Sequence, residues 1–177
     1  ILILHGPNLN LLGLKSAKVG EKLTLDKINR AIRLHVRKKD INLKIIQTHK
    51  EYIAMNFIQR NRNSASGLVI IPTSWANYNQ TIFETIKITE LQTAAVYFKK
   101  PYSLGAGEKD TIFVADKIKS FSGQPIDTIK SAMDALNAEW SKVSQDMYQQ
   151  ANAQGGSQPE DSKNQDSGSA NGDNVEN

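Results

Sequence analysis

Nine side chains able to hold a ligand or move a proton fall in four short stretches: His5, Asn8 and Asn10; His49 and Glu51; Trp75 and Asn77; Tyr97 and Lys99. Two imidazoles and a carboxylate are the residue types of acid–base work or of a bound metal ion. A plainer assignment stands beside each. Asn8 and Asn10 are turn formers that satisfy local backbone, and His5 and His49 then serve as ordinary loop residues. Trp75 and the adjacent Tyr78 fit loop packing. Lys99 and Lys100 fit a solvated end, or one of them holds a ligand carboxylate. No cofactor and no metal is assigned to these positions.

Each stretch follows or ends an apolar run, and the runs alternate with helical patterns. "ILILH" (1–5), "INLKIIQ" (41–47), "GLVIIP" (67–72) and "TAAVYF" (93–98) read as strands, with a weaker fifth at "KIKSFSG" (117–123). Thr24 can cap a helix whose apolar residues Leu25, Ile28, Ile32 and Val36 recur at steps of three and four. Glu51 to Arg62, with Ile53, Phe57 and Ile58 inward, and Gln80 to Leu91 read as two more helices. Lys15 falls in a flexible Lys-Ser-Ala-Lys loop. Strands separated by helices imply a parallel sheet with right-handed crossovers and helices on both faces. Ligands of such sheets bind beyond the carboxyl ends of the strands, where strand order reverses. The four stretches map to that rim. No Walker A or G-x-G-x-x-G pattern occurs, so a phosphate cradle is not supported.

A last helix carries Ile126, Ile129, Met133, Leu136, Trp140, Val143 and Met147 at steps of 3, 4, 3, 4, 3, 4, an a/d seam. Its first half is expected on the sheet. Its second half (138–150) either lies on its own domain or meets a partner through Trp140, Val143 and Met147. From Ala151 the chain is polar and acidic, without apolar periodicity, and is expected to be disordered.

The net charge of +4 divides into +8 over residues 1–150 and −4 over residues 151–177. Much of the positive charge lies on "KINRAIRLHVRKK" (27–39). No aromatic residue interleaves with it, so it reads as a solvated helix face and nucleic acid is not an expected partner. No stretch approaches the ~18 apolar residues of a membrane span. The 177 residues contain no cysteine, which removes thiolate chemistry and fits a cytoplasmic location.

"GPNLNLLG" (6–13), with the pattern around it, resembles type II 3-dehydroquinate dehydratase over roughly residues 1–137. The resemblance implies a flavodoxin-like α/β fold, a three-layer sandwich on a five-stranded parallel sheet of order 2-1-3-4-5. It also implies a homo-oligomer, a trimer or a dodecamer of trimers. In that family a tyrosinate, its pKa lowered by an arginine, takes a proton beside a ketone. Polar groups stabilise the enolate, and a histidine oriented by a glutamate protonates the departing hydroxyl.

Carried over residue by residue, the resemblance splits. Asn8 stands where the family has its loop asparagine, Glu51 where it has the glutamate of a Glu-Gly dipeptide, and Glu84 where an aspartate reaches a neighbouring subunit. The arginine position is Lys15, the tyrosine base position Gly20, and the proton-donating histidine position Asn77. Ile71 replaces the asparagine before Pro72. Tyr97 and Lys99 replace a substrate-binding histidine and serine. The sequence therefore points to a divergent homologue, catalytically impaired or inactive, retained as a binding or assembly protein. Two alternatives remain: an active dehydratase using displaced residues, and a different small-molecule enzyme on the same rim.

Overall fold

The computed structural model describes residues 1–154 of the 177. The described residues divide into two units, Ile1–Val143 and a second that starts at Ser144. Five parallel strands form the first unit's sheet: β1 (Leu2–His5), β2 (Lys44–Gln47), β3 (Leu68–Ile71), β4 (Thr93–Phe98) and β5 (Ile118–Gly123), in the order β2-β1-β3-β4-β5. The helices are α1 (Leu12–Ala17), α2 (Leu25–Val36), α3 (Glu51–Asn61), α4 (Gln80–Thr89) and α5 (Pro125–Gln154). Short 3₁₀ turns at Leu9–Leu11 and Thr73–Asn77 follow β1 and β3.

Period-two alternation sorts the apolar strand residues to two faces. Ile3, Val69, Ala94 and Val96 pack with Ile28, Ile32 and Val36 of α2 and with Ile129, Met133 and Leu136 of α5. Leu2, Leu4, Leu68, Ile70 and Ala95 pack with Ala54 and Ile58 of α3 and with Ile82 and Ile86 of α4. This is the three-layer α/β architecture implied by the sequence. Thr24 caps α2 as its position suggests, its Oγ1 accepting from the Lys27 amide at 3.3 Å. Asn79 caps α4 in the same way at 2.9 Å.

Several boundaries and faces differ from the sequence reading. β2 is shorter than 41–47 because its neighbour β1 pairs only from Leu2, which lies opposite Lys44. Residues 41–43 thus have no ladder to join. The fourth helix ends before Leu91, since Glu90 closes it in a left-handed conformation (φ 54°). On α3, Ala54 rather than Ile53 faces the core, and Ile53 is exposed. The residues around Lys15 form helix α1 and not a flexible loop.

The seam of α5 is buried at Ile129, Met133 and Leu136 and exposed at Trp140 and Val143. In the second unit, Met147 is exposed and α5 continues to Gln154. The helix thus reaches beyond the expected start of the tail at Ala151. Ala and Gln are good helix formers, whereas the Gly155-Gly156 pair that follows is not. The rest of the tail expected to be disordered, residues 155–177, lies outside the described residues.

Candidate functional site

β1 and β3 run side by side, His5 opposite Ile71, and strand order reverses between them. The Gly6 amide donates to the Ile71 carbonyl at 2.9 Å, extending the ladder by one rung. A Cβ on Gly6 would stand 2.6 Å from the Pro72 carbonyl oxygen, so only glycine lets the two chains approach this closely. Asn8 then takes a left-handed conformation (φ 64°) to open the 3₁₀ turn. Thr73, a β-branched residue at φ 51°, is held there by a buried hydrogen bond from its Oγ1 to the Pro7 carbonyl at 2.8 Å. Gly105, at φ 70°, brings the loop after β4 onto this turn, and any Cβ there would collide with the Thr73 carbonyl.

The expected site residues separate into two groups. Asn8, Asn10, His49, Glu51, Asn77 and Lys99 are exposed on the strand-end loops. Gln47 draws two of these loops together, its Nε2 donating to the Gly6 carbonyl at 3.4 Å and to Asn10 Oδ1 at 3.5 Å. His5, Trp75 and Tyr97 lie instead inside the core layers. They end or follow strands whose last residues still alternate into the packed faces, so proximity to a strand end does not expose them. Trp75 packs in the layer of α3 and α4, a loop-packing aromatic. Glu84 is exposed on α4.

The titratable groups follow from these positions. His5 is fully buried; Nε2 donates to Asn29 Oδ1 at 2.8 Å, and Nδ1 has no partner among the described residues. Burial lowers its pKa to about 4, against the raising effect of Asn29, so the ring is neutral at pH 7. Tyr97 donates to Thr111 Oγ1 at 2.8 Å, and burial raises its phenol above the ordinary 10.0. Tyr102, which sequence reading missed, donates to the Glu21 carboxylate, and that bond holds its phenol up as well. One residue on, Lys15 Nζ donates to the Ser103 carbonyl. These two contacts tie α1 and the turn that follows it to the loop after β4. Each spans more than 80 residues of chain, beyond the reach of any periodicity.

Gly20, the tyrosine-base position, sits in a turn at φ 75°, and open space surrounds the place where a Cβ would stand. Asn77, the acid position, is an exposed amide. Among the described residues no three His, Asp or Glu side chains converge as a metal site would require. Also among them, no helix is long and apolar enough to cross a membrane.

A family model described as "Dehydroquinase class II" matches residues 1–137. The chain belongs to this family. A 3-dehydroquinate dehydratase of Clostridium botulinum (strain Hall) is 25% identical over 123 residues, covering 70% of this chain and 84% of that protein. That of Caldanaerobacter subterraneus subsp. tengcongensis is 30% identical over 97 residues, covering 55% and 66%. The crystal structure of the type II dehydroquinase from Butyrivibrio crossotus superposes with a TM-score of 0.67 at 20% identity, covering 77% of this chain and 95% of that one. A 3-dehydroquinate dehydratase-like protein from Bifidobacterium longum gives 0.54 at 14% identity, covering 80% and 97%. Dehydroquinase family membership and fold thus agree with the motif "GPNLNLLG".

Proposed function

We propose that this class II dehydroquinase homologue has lost the dehydratase reaction and serves as a cytoplasmic binding or assembly protein. One observation carries the reading: the family's base position holds no phenol. The base position is Gly20, and the phenols of Tyr97 and Tyr102, bonded to Thr111 and Glu21, are shifted upward, away from the tyrosinate. The acid position holds Asn77, whose amide does not titrate near neutral pH. A general base and a general acid each contribute roughly 10²–10⁴-fold, so losing both removes most of the rate. Homo-oligomer formation through Glu84 and a contact through Met147 belong to the same reading, since both side chains are exposed.

A second reading, turnover by displaced residues, draws on the exposed phenols of Tyr52 and Tyr78. Incubating the full chain with 3-dehydroquinate and following enone absorbance separates the two. The proposal expects no rate above buffer. Turnover clearly above buffer would overturn it and establish the second reading.

A further inference from the structure

At the opposite end of the sheet from the rim, two clefts of about 320 and 210 Å³ flank one indole. They share Ala65, Ser66 and Trp140 and form one groove along the amino ends of the strands, from Lys44 at the start of β2 to Gln92 just before β4. Trp140 lies past residue 137, where the match to the dehydroquinase family ends, so the extension of α5 supplies this wall. Its side chain is half exposed, unlike Trp75, which is sealed in the core.

The polar lining is unusual in what it leaves open. Asp40, Asn42, Ser66, Gln92 and Asn137 all line the groove, and none makes a side-chain hydrogen bond among the described residues. Ser66 and Asn137 are half-buried, with their side-chain hydrogen-bonding groups open to a ligand in the groove. The charged side chains are three carboxylates, Asp40, Glu90 and Glu139, against one ammonium, Lys44. Glu90 and Glu139 are held by Lys117 and Lys119, and Lys44 by Asn61 Oδ1. Asp40 makes no ion pair among the described residues.

We propose that this groove binds a neutral sugar ring. A pyranose has an apolar C–H face, which suits the flat indole, and a hydroxyl edge, which suits carboxylate and amide partners. With Glu90 and Glu139 paired to lysines, the remaining side-chain charges, Asp40 and Lys44, balance, so the groove offers no net charge to hold a phosphate or a carboxylic acid, 3-dehydroquinate included. A nucleobase finds a single aromatic platform there. The site is independent of whether the rim performs any reaction.

The test titrates the full chain with glucose, galactose, N-acetylglucosamine and their β-linked disaccharides, with adenosine as the non-sugar comparison. Indole emission and saturation-transfer NMR report binding. The expected result is saturable binding to a sugar with a dissociation constant on the order of 1–10 mM. Trp140→Ala should abolish it with an unchanged circular dichroism spectrum, since the side chain is half exposed. Asn137→Ala and Asp40→Ala should each weaken it about three- to tenfold. The proposal is overturned if no sugar saturates at ~50 mM, if adenosine binds as well, or if Trp140→Ala binds normally. It is also overturned if Trp140→Ala lowers the particle mass by light scattering, which would make the groove an interface between copies of the chain.

Discussion

His5 offers the sharpest quantitative test of where the structure puts its imidazoles. In the fold its pKa is about 4, because burial outweighs the hydrogen bond from Nε2 to Asn29. In the unfolded chain it returns to the ordinary 6.5. A depressed histidine binds more protons when unfolded between these two values, so stability rises with pH across the window and falls as pH drops through it. The full shift corresponds to about 3 kcal/mol below pH 4, with about 2 kcal/mol already lost between pH 7 and pH 5. For a domain of this size that is a fall in Tm of roughly 4–8 °C over the same interval. Replacing His5 by leucine removes the titration and leaves the half-exposed Asn29 carbonyl to solvent. The wild type should therefore show the slope in calorimetry between pH 7 and 4, and His5→Leu should flatten it. The Asp134 carboxyl is also shifted. Burial raises it, but hydrogen bonds from Lys39 and His35 outweigh that and hold it below its ordinary 3.8, so its loss sets in only at lower pH. An imidazole C–H resonance of His5 titrating near 6.5 by NMR would refute the burial reasoning and return this side chain to the rim.

The remaining expectations concern the packing and ties around the strand ends. Trp75→Ala should cost about 3–5 kcal/mol in denaturant unfolding, as removal of a fully buried aromatic does; a loss below about 1 kcal/mol would mean that the ring is not core. Gly105→Ala should destabilise by at least about 2 kcal/mol, because it meets the Thr73 carbonyl at a positive φ. An alanine there without effect would show that the loop after β4 stands off the turn. Tyr102→Phe should raise hydrogen exchange in residues 18–24 by freeing Glu21, and unchanged protection would show that the tie is idle.

Much of the fold was legible because it rests on short-range pattern. Ile28, Ile32 and Val36 recur at helical spacing and are buried on α2, and the run Thr93–Phe98 is β4 residue for residue. "GPNLNLLG" carried the family, since a glycine with the Pro72 carbonyl 2.6 Å from its missing Cβ and a left-handed Asn8 allow few substitutes. What escaped was exposure. His5, Trp75 and Tyr97 stand at strand ends like their rim neighbours, yet the face each takes depends on layers assembled from distant helices. Helix α1 escaped because six residues hold too little periodicity. The Lys15–Ser103 and Tyr102–Glu21 contacts escaped because loops carry no pattern that names their partners.

Proton removal is the step that Gly20 leaves without a base, and deuterium wash-in reads it without requiring the elimination to finish. 3-Dehydroquinate in D₂O, followed by NMR at the carbon beside the ketone, should exchange with the full chain present no faster than in buffer alone. Stereospecific exchange accelerated by the protein, at a rate proportional to its concentration, would show that a base is working in the fold and would contradict the account.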